Sequence, residues 1–141
     1  RVADPFEGRL LAALAKKGLP VVIDRGAGGE EAERVSRAVA GLGSRARHVQ
    51  TWEGSFAGFA SQIARSRLFV GYDSAGQHAA AACGTPLVAV FAGFVSPRMF
   101  FRWQPTGPGV MAVVRAGEAG TEEILRQTLA AVERQLGVVA R

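Results

Sequence analysis

The sequence predicts a single domain over residues 1–141, an open, doubly wound, Rossmann-like α/β fold: a mostly parallel sheet of about five strands with helices on both faces. Three observations carry that expectation. Short apolar runs alternate along the chain with longer segments of helical period, the order in which strands and crossover helices build a parallel sheet. The runs are almost continuously apolar, as strands covered on both faces require. Glycine-rich or Gly-x-Pro turns punctuate the transitions.

Composition is consistent with this and excludes several alternatives. A chain of 141 residues, 48% hydrophobic and 21% charged, is long enough and apolar enough to bury a core, so disorder is excluded. Its 17 basic and 12 acidic residues leave a net charge of +5, carried mostly by arginine. The arginines are scattered rather than clustered, so phosphate-bearing small molecules suit them better than nucleic acid. The lone cysteine, Cys83, excludes an internal disulfide and a cysteine-based metal site, and its alanine-rich surroundings predict a small buried hydrophobe. His48 and His78 lack carboxylates at ligand spacing, so no bound metal is expected. Ala79 to Pro97 carries no charge, yet Gly84-Thr85-Pro86 interrupts it. It therefore reads as helix plus strand rather than a membrane span.

Taken in order, Asp4-Pro5 and the stripe Phe6, Leu10, Leu14, closed by Lys16-Lys17-Gly18, predict a first helix with Asp4 as N-cap and Pro5 inside it. Pro20 to Asp24 reads as a buried strand. Arg25 to Gly29 is then a glycine-rich turn into a helix from Glu30 to Gly41 with Val35, Val39 and Leu42 on its inner face. Gly26 and Gly28 match the first two glycines of a dinucleotide fingerprint, but Glu31 stands where the third belongs. Arg47 to Gln50 reads as a short strand, and Thr51 to Ser55 leads to a helix with Phe56, Phe59, Ala60 and Ile63 on one side.

Arg67 to Gly93 is the stretch around which the rest is arranged. It reads strand, tight polar turn (Asp73, Ser74, Ala75, Gly76), alanine-rich helix, Gly-x-Pro break and second strand, Leu87 to Phe91. Such a turn aims unpaired N–H groups and the positive end of a helix dipole out of the carboxyl end of the sheet, a place that binds phosphate. Asp73 and Ser74 are also good N-caps, and capping is the plainer reading. Phe94 to Gly109 follows, rich in proline, glycine, aromatics and arginine. Val110 to Val114 is a last buried strand, and Thr121 caps a final helix with Leu125, Leu129, Val132 and Leu136 inward.

Asp73-Ser74, His78 five residues after the Asp, Ala80-Ala81, Gly84, Pro86 and a strand ending in Phe-x-Gly together resemble glycosyltransferase family 9, the heptosyltransferases and their relatives. Where that family has Gly after the Ser/Thr, this chain has Ala75, with Gly76 one place later. The resemblance implies the C-terminal, donor-binding half of a two-domain GT-B enzyme, with the N-terminal acceptor domain and its catalytic base outside this chain. It implies inverting, metal-independent transfer from a nucleoside-diphosphate sugar to a cell-surface glycan such as lipopolysaccharide core. The full protein would then be cytoplasmic, at the inner face of the bacterial inner membrane, with no transmembrane segment; the isolated chain would bind donor without turnover, and with no cofactor.

On that reading Asp73, Ser74, Ala75, Gly76, His78 and Arg98 bind the donor's diphosphate and sugar. Gly26, Glu30, Glu31, Thr51 and Trp52 bind ribose and base. The residues allow plainer roles: the glutamates complement a helix N-terminus, Trp52 packs, His78 is a satisfied core histidine, and Arg98 faces water or another domain. Two other classes stand beside this one. One is a non-catalytic flavodoxin-like ligand-binding domain; the other is a fragment of an NAD(P)-binding oxidoreductase using Gly26 and Gly28.

Overall fold

A computed structural model describes residues 1–93 and 96–139. Strands and helices alternate as expected, and the five strands pair only in parallel. The ladders are two, a pair and a triplet, and the chain divides into two compact units: Ala3–Ser55, and a unit that begins at Phe56 and is joined by Arg1–Val2.

The first unit contains helix α1 (Phe6–Lys16), strand β1 (Val21–Asp24), helix α2 (Gly29–Ala40), a 3-10 turn (Gly43–His48) and strand β2 (Val49–Trp52). Pro5 occupies the N-cap of α1 and no side chain caps it, so Asp4 does not play the expected part. Gly18, at φ +70°, ends the helix in the left-handed region that favours glycine. Strand β1 runs beside β2 with Val21 opposite Val49 and Asp24 opposite Trp52. Leu11, Ala15 and Leu42 are buried together, and Val21, Ile23, Val39 and Val49 pack around them. The strand expected at Arg47 starts at Val49, because the preceding residues coil into the 3-10 turn. Nor is β1 buried throughout: Val22 is 47% exposed.

The second unit holds α3 (Phe56–Ala64), β3 (Phe69–Tyr72), α4 (Ala75–Ala82), β4 (Leu87–Phe91), α5 (Pro97–Trp103), β5 (Met111–Arg115) and α6 (Thr121–Val139). The strand order is β3-β4-β5, with Phe69 opposite Leu87 and Phe91 opposite Arg115. All five residues of β4 are buried, so the run LVAVF behaves as a strand covered on both faces. Each of its larger side chains contributes about 1.5–3 kcal/mol of transfer free energy. Ile63, Ala80, Ala81, Leu87, Ala89, Phe91 and Phe100 form the core here, the Phe91 and Phe100 rings meeting edge to face at 5.0 Å. Thr85 ties the break between α4 and β4 to α3, its hydroxyl donating to the Ile63 carbonyl at 3.0 Å. Gly107 is glycine because a Cβ there would run into the backbone of Ala81.

Several expectations are corrected. Cys83 sits exposed at the C-cap of α4, because the alanine helix turns its buried side through Gly76, Gln77, Ala80 and Ala81 instead. Phe56 is 56% exposed, and β5, at the margin of its ladder, is only partly buried, with Val113 36% exposed. Helix α6 starts at Thr121 itself, and its buried stripe is Ile124, Leu125, Thr128, Ala131, Val132 and Gln135, rotated from the expected leucine stripe. Thr128 fits there because its hydroxyl donates to the Ile124 carbonyl at 2.8 Å. The stretch after β4 contains a helix, α5, capped by Ser96, whose hydroxyl accepts from the Met99 N–H at 3.4 Å. Phe94 and Val95, the first residues of that stretch, lie outside the described residues. Among the described residues no helix is long and apolar enough to cross a membrane.

Candidate functional site

The turn after β3 forms as the sequence suggests. The chain leaves Tyr72, bends through Asp73 and Ser74, and enters α4 at Ala75. Ser74 takes the N-cap in extended backbone (φ −135°, ψ 179°), with its N–H donating to the Tyr72 carbonyl at 2.8 Å and its own carbonyl accepting from the Gln77 N–H at 3.2 Å. Its hydroxyl makes no capping bond, and no other side chain caps α4. The first turn of the helix therefore presents N–H donors and its positive dipole end uncompensated by side chains. Ala75 causes no strain in the place of a glycine, since no non-glycine residue here has positive φ. Gly76 is small for packing: a Cβ on it would lie 2.7 Å from Phe69 Cζ and 3.4 Å from Phe59 Cε1.

Beside that turn lies a cleft of ≈ 230 Å³ lined by Asp73, Phe91, Met99, Phe100 and Trp103. Phe91 and Phe100 are buried at its wall, whereas Met99 and Trp103 stay 39% and 52% exposed. Among the described residues that line it, Asp73 brings the only charge. Behind it, the Arg115 guanidinium stands 4.1 Å from the centre of the Phe100 ring, at the carboxyl end of β5. Arg98, the expected phosphate ligand, is exposed in the first turn of α5 and does not line the cleft.

His78 is not a core histidine. It is exposed, its ring centre is 6.2 Å from that of Trp103, and its Nε2 lies 3.5 Å from Gln77 Nε2. Gln77, not among the residues expected at the site, is fully buried, and its amide donates to the Trp103 carbonyl at 3.0 Å. Gln77 Oε1 is buried without a partner. The signal that points to it is a polar residue beside His78 in a helix whose other residues are all Ala or Gly.

The first unit carries a turn of its own. Gly26, Gly28 and Gly29 adopt φ of +69°, +100° and +60°, a path that glycine follows without strain. The Glu31 side chain folds back over Gly26, so that a Cβ on Gly26 would collide with its carboxylate. Glu30 is exposed beside it in the first turn of α2. A carboxylate over this turn is a poor neighbour for a pyrophosphate, which weighs against a dinucleotide there. Thr51 and Trp52 lie within β2 rather than in the loop after it. Gly54 packs against the Trp52 ring, where a Cβ would stand 2.9 Å from Cζ2, and Trp52 Nε1 is buried with no partner. Arg25 pairs with Glu53 at 3.1 Å and donates its backbone N–H to the Trp52 carbonyl at 2.9 Å. A further cleft, ≈ 250 Å³ between β5 and α6, reaches Arg126 and Arg134 and contains none of the expected site residues.

The model of one protein family, described as glycosyltransferase family 9 (heptosyltransferase), matches residues 8–128. No curated protein and no solved structure matches the chain.

Proposed function

The chain belongs to glycosyltransferase family 9, and from that premise we propose that it binds the diphosphate and sugar of a nucleoside-diphosphate sugar donor at the turn between β3 and α4. The observation that carries this reading is the uncapped N-terminus of α4 opening beside a cleft lined by Asp73. As the bond between sugar and diphosphate breaks, negative charge grows on the leaving phosphate oxygens. Fixed N–H donors at Ala75 and Gly76, with the helix dipole behind them, stabilise that charge without reorganising. Arg98 and Arg115 add positive charge on neighbouring elements, and no bound metal is needed in this reading. Asp73 repels phosphate and instead accepts from sugar hydroxyls. In this reading His78, exposed one turn into α4, donates to a phosphate oxygen.

In the first unit, Glu31 is better placed than Glu30 to accept from a pair of vicinal hydroxyls, since its carboxylate already lies over the Gly26 turn. In this reading the acceptor is a cell-surface glycan reached at the cytoplasmic face, and the transfer inverts the anomeric carbon. The chain in this reading is the donor half of a GT-B enzyme and does not turn over alone.

The test is calorimetric titration with ADP, UDP and GDP, repeated on Ala75→Pro. Proline is tolerated at the first helical position and Ser74 is already extended, so the substitution removes one N–H donor with little cost to the helix. One nucleoside diphosphate is expected to bind, about tenfold or more weakly to the variant, the loss of one charge-assisted hydrogen bond. Equal binding by parent and variant would remove the phosphate from this turn, and no binding by any of the three would sink the donor reading.

A further inference from the structure

We propose that Trp103 is the stacking platform for the donor's sugar ring, and that Gln77 is the positioning residue that holds it there; this rests on the donor reading above. The cleft has the chemistry of a sugar subsite. Its volume, ≈ 230 Å³, is below the roughly 300–1,000 Å³ that drug-sized ligands fill, so it takes one ring and not a whole nucleotide. Four of its five lining residues are apolar or aromatic, offering faces for sugar C–H groups. The fifth, Asp73, offers only acceptors, which suits a ring whose rim is hydroxyl donors and excludes a phosphate. Among the described residues the lining holds no cation, so a sugar bearing its own carboxylate is disfavoured as well.

Trp103 is the conspicuous member of this set. Its ring is at the last residue of α5, 52% exposed, a large apolar surface left to water beside a cavity. The backbone beneath it is anything but loose. Gln77, 0% exposed in the first turn of α4, donates its amide to the Trp103 carbonyl at 3.0 Å, and the His78 and Trp103 rings have their centres 6.2 Å apart. Burying an amide whose Oε1 finds no partner is costly, and a helix interior would be better served there by leucine or methionine. What that cost secures is a fixed distance between the phosphate-facing turn of α4 and the exposed indole of α5. A diphosphate and the sugar joined to it are separated by one such fixed distance.

The experiment labels the chain with 5-fluorotryptophan, which gives two ¹⁹F resonances for its two tryptophans, and assigns Trp103 with Trp103→Phe. The nucleoside diphosphate that binds is titrated first, then the same nucleotide carrying glucose, and then carrying glucuronate. The Trp103 resonance is expected to move with the glucose conjugate and not with the bare diphosphate, and the glucuronate conjugate is expected to bind more weakly than glucose. Trp103→Ala, an exposed position that leaves the core intact, is expected to abolish the extra affinity given by the sugar, about tenfold, while the bare diphosphate binds as before. Gln77→Met keeps the buried volume and removes the amide, and the sugar-dependent part of binding and the Trp103 shift are expected to fall together. A Trp103 resonance that responds equally to the bare diphosphate assigns the platform to the nucleotide and overturns the proposal. A sugar increment that survives Trp103→Ala overturns it too. Binding of the bare diphosphate with no sugar increment refutes this proposal alone, and absence of all binding refutes the donor reading with it.

Discussion

Replacing Gly76 by alanine should destabilise the second unit, although glycine to alanine in a helix ordinarily stabilises. Gly76 is the second residue of α4, and the ordinary gain is roughly 0.5–1 kcal/mol. Against it stands the new Cβ, 2.7 Å from Phe69 Cζ, closer than carbon atoms pack. The ring has little room to yield, because the same Cζ is 2.7 Å from where a Cβ on Gly71 would stand and the Phe59 ring meets it edge to face at 6.4 Å. Overpacking of this kind costs about 1–3 kcal/mol, so the net expectation is a loss of about 1 kcal/mol, at most about 2.5 kcal/mol. Urea unfolding followed by circular dichroism reads that loss as a lower midpoint at unchanged slope. The mechanism is checked by Phe69→Leu, which removes Cζ. In the double variant the two losses should fail to add, with a favourable coupling of about 1 kcal/mol. A Gly76→Ala chain at least as stable as the parent, or additive losses, would show that Phe69 does not confine this turn.

Two further outcomes follow from side chains away from the cleft. Thr85→Val keeps the shape of a residue only 4% exposed and removes one of two donors to the Ile63 carbonyl, which retains the Ser66 N–H at 3.0 Å, and the unfolding free energy should fall by about 0.5–1.5 kcal/mol. An unchanged value would mean that the hydroxyl contributes nothing to joining α3 to the Gly84-Thr85-Pro86 break. Hydrogen bonds from Arg126, then Gln127, lower the Glu123 carboxyl to about 2. A carboxyl lowered in the folded state stabilises above its unfolded value of 4.5, and that contribution is lost as pH falls from there through 2. Carboxyl ¹³C titration should therefore find Glu123 still ionised near pH 3.5, and Arg126→Ala should return it toward the ordinary range; a midpoint near 4.5 in the parent would refute the pairing.

The elements legible in the sequence were those whose physics is local. The run LVAVF between a Gly-x-Pro break and a glycine reads as a buried strand and is one, and Asp73-Ser74 reads as the entry to a helix and is that. Less legible were features decided by what packs against what. Cys83 follows four alanines and reads as core, but which side of an alanine helix faces inward is not written in the alanines, and the inward side passes through Gln77. The stripe of α6 reads as leucines at helical spacing, yet Thr128 is buried in place of Leu129 because its hydroxyl has a carbonyl one turn back to bond. Helix α5 was hidden by its proline and aromatics, although Ser96-Pro97 is a sound start for a helix. At the site, Asp73 and His78 were legible as residues, whereas the cleft was not. Its walls come from β4 and α5, which only the fold brings to Asp73.

Strand β4, the middle strand of its ladder and buried at all five residues, also sets the order in which this unit comes apart. Its amides should be among the last to exchange with deuterium, opening only with the unit as a whole, because both neighbours must leave before its hydrogen bonds meet solvent. Phe91 is the final residue of that strand, so one wall of the cleft stands on the most persistent part of the unit. The facing rim, Met99 and Trp103, rides on a seven-residue helix that is tied to the same core through buried Phe100 and through the bond from Gln77 to the Trp103 carbonyl. A ligand in the cleft therefore rests against a wall that comes apart only when the whole unit does.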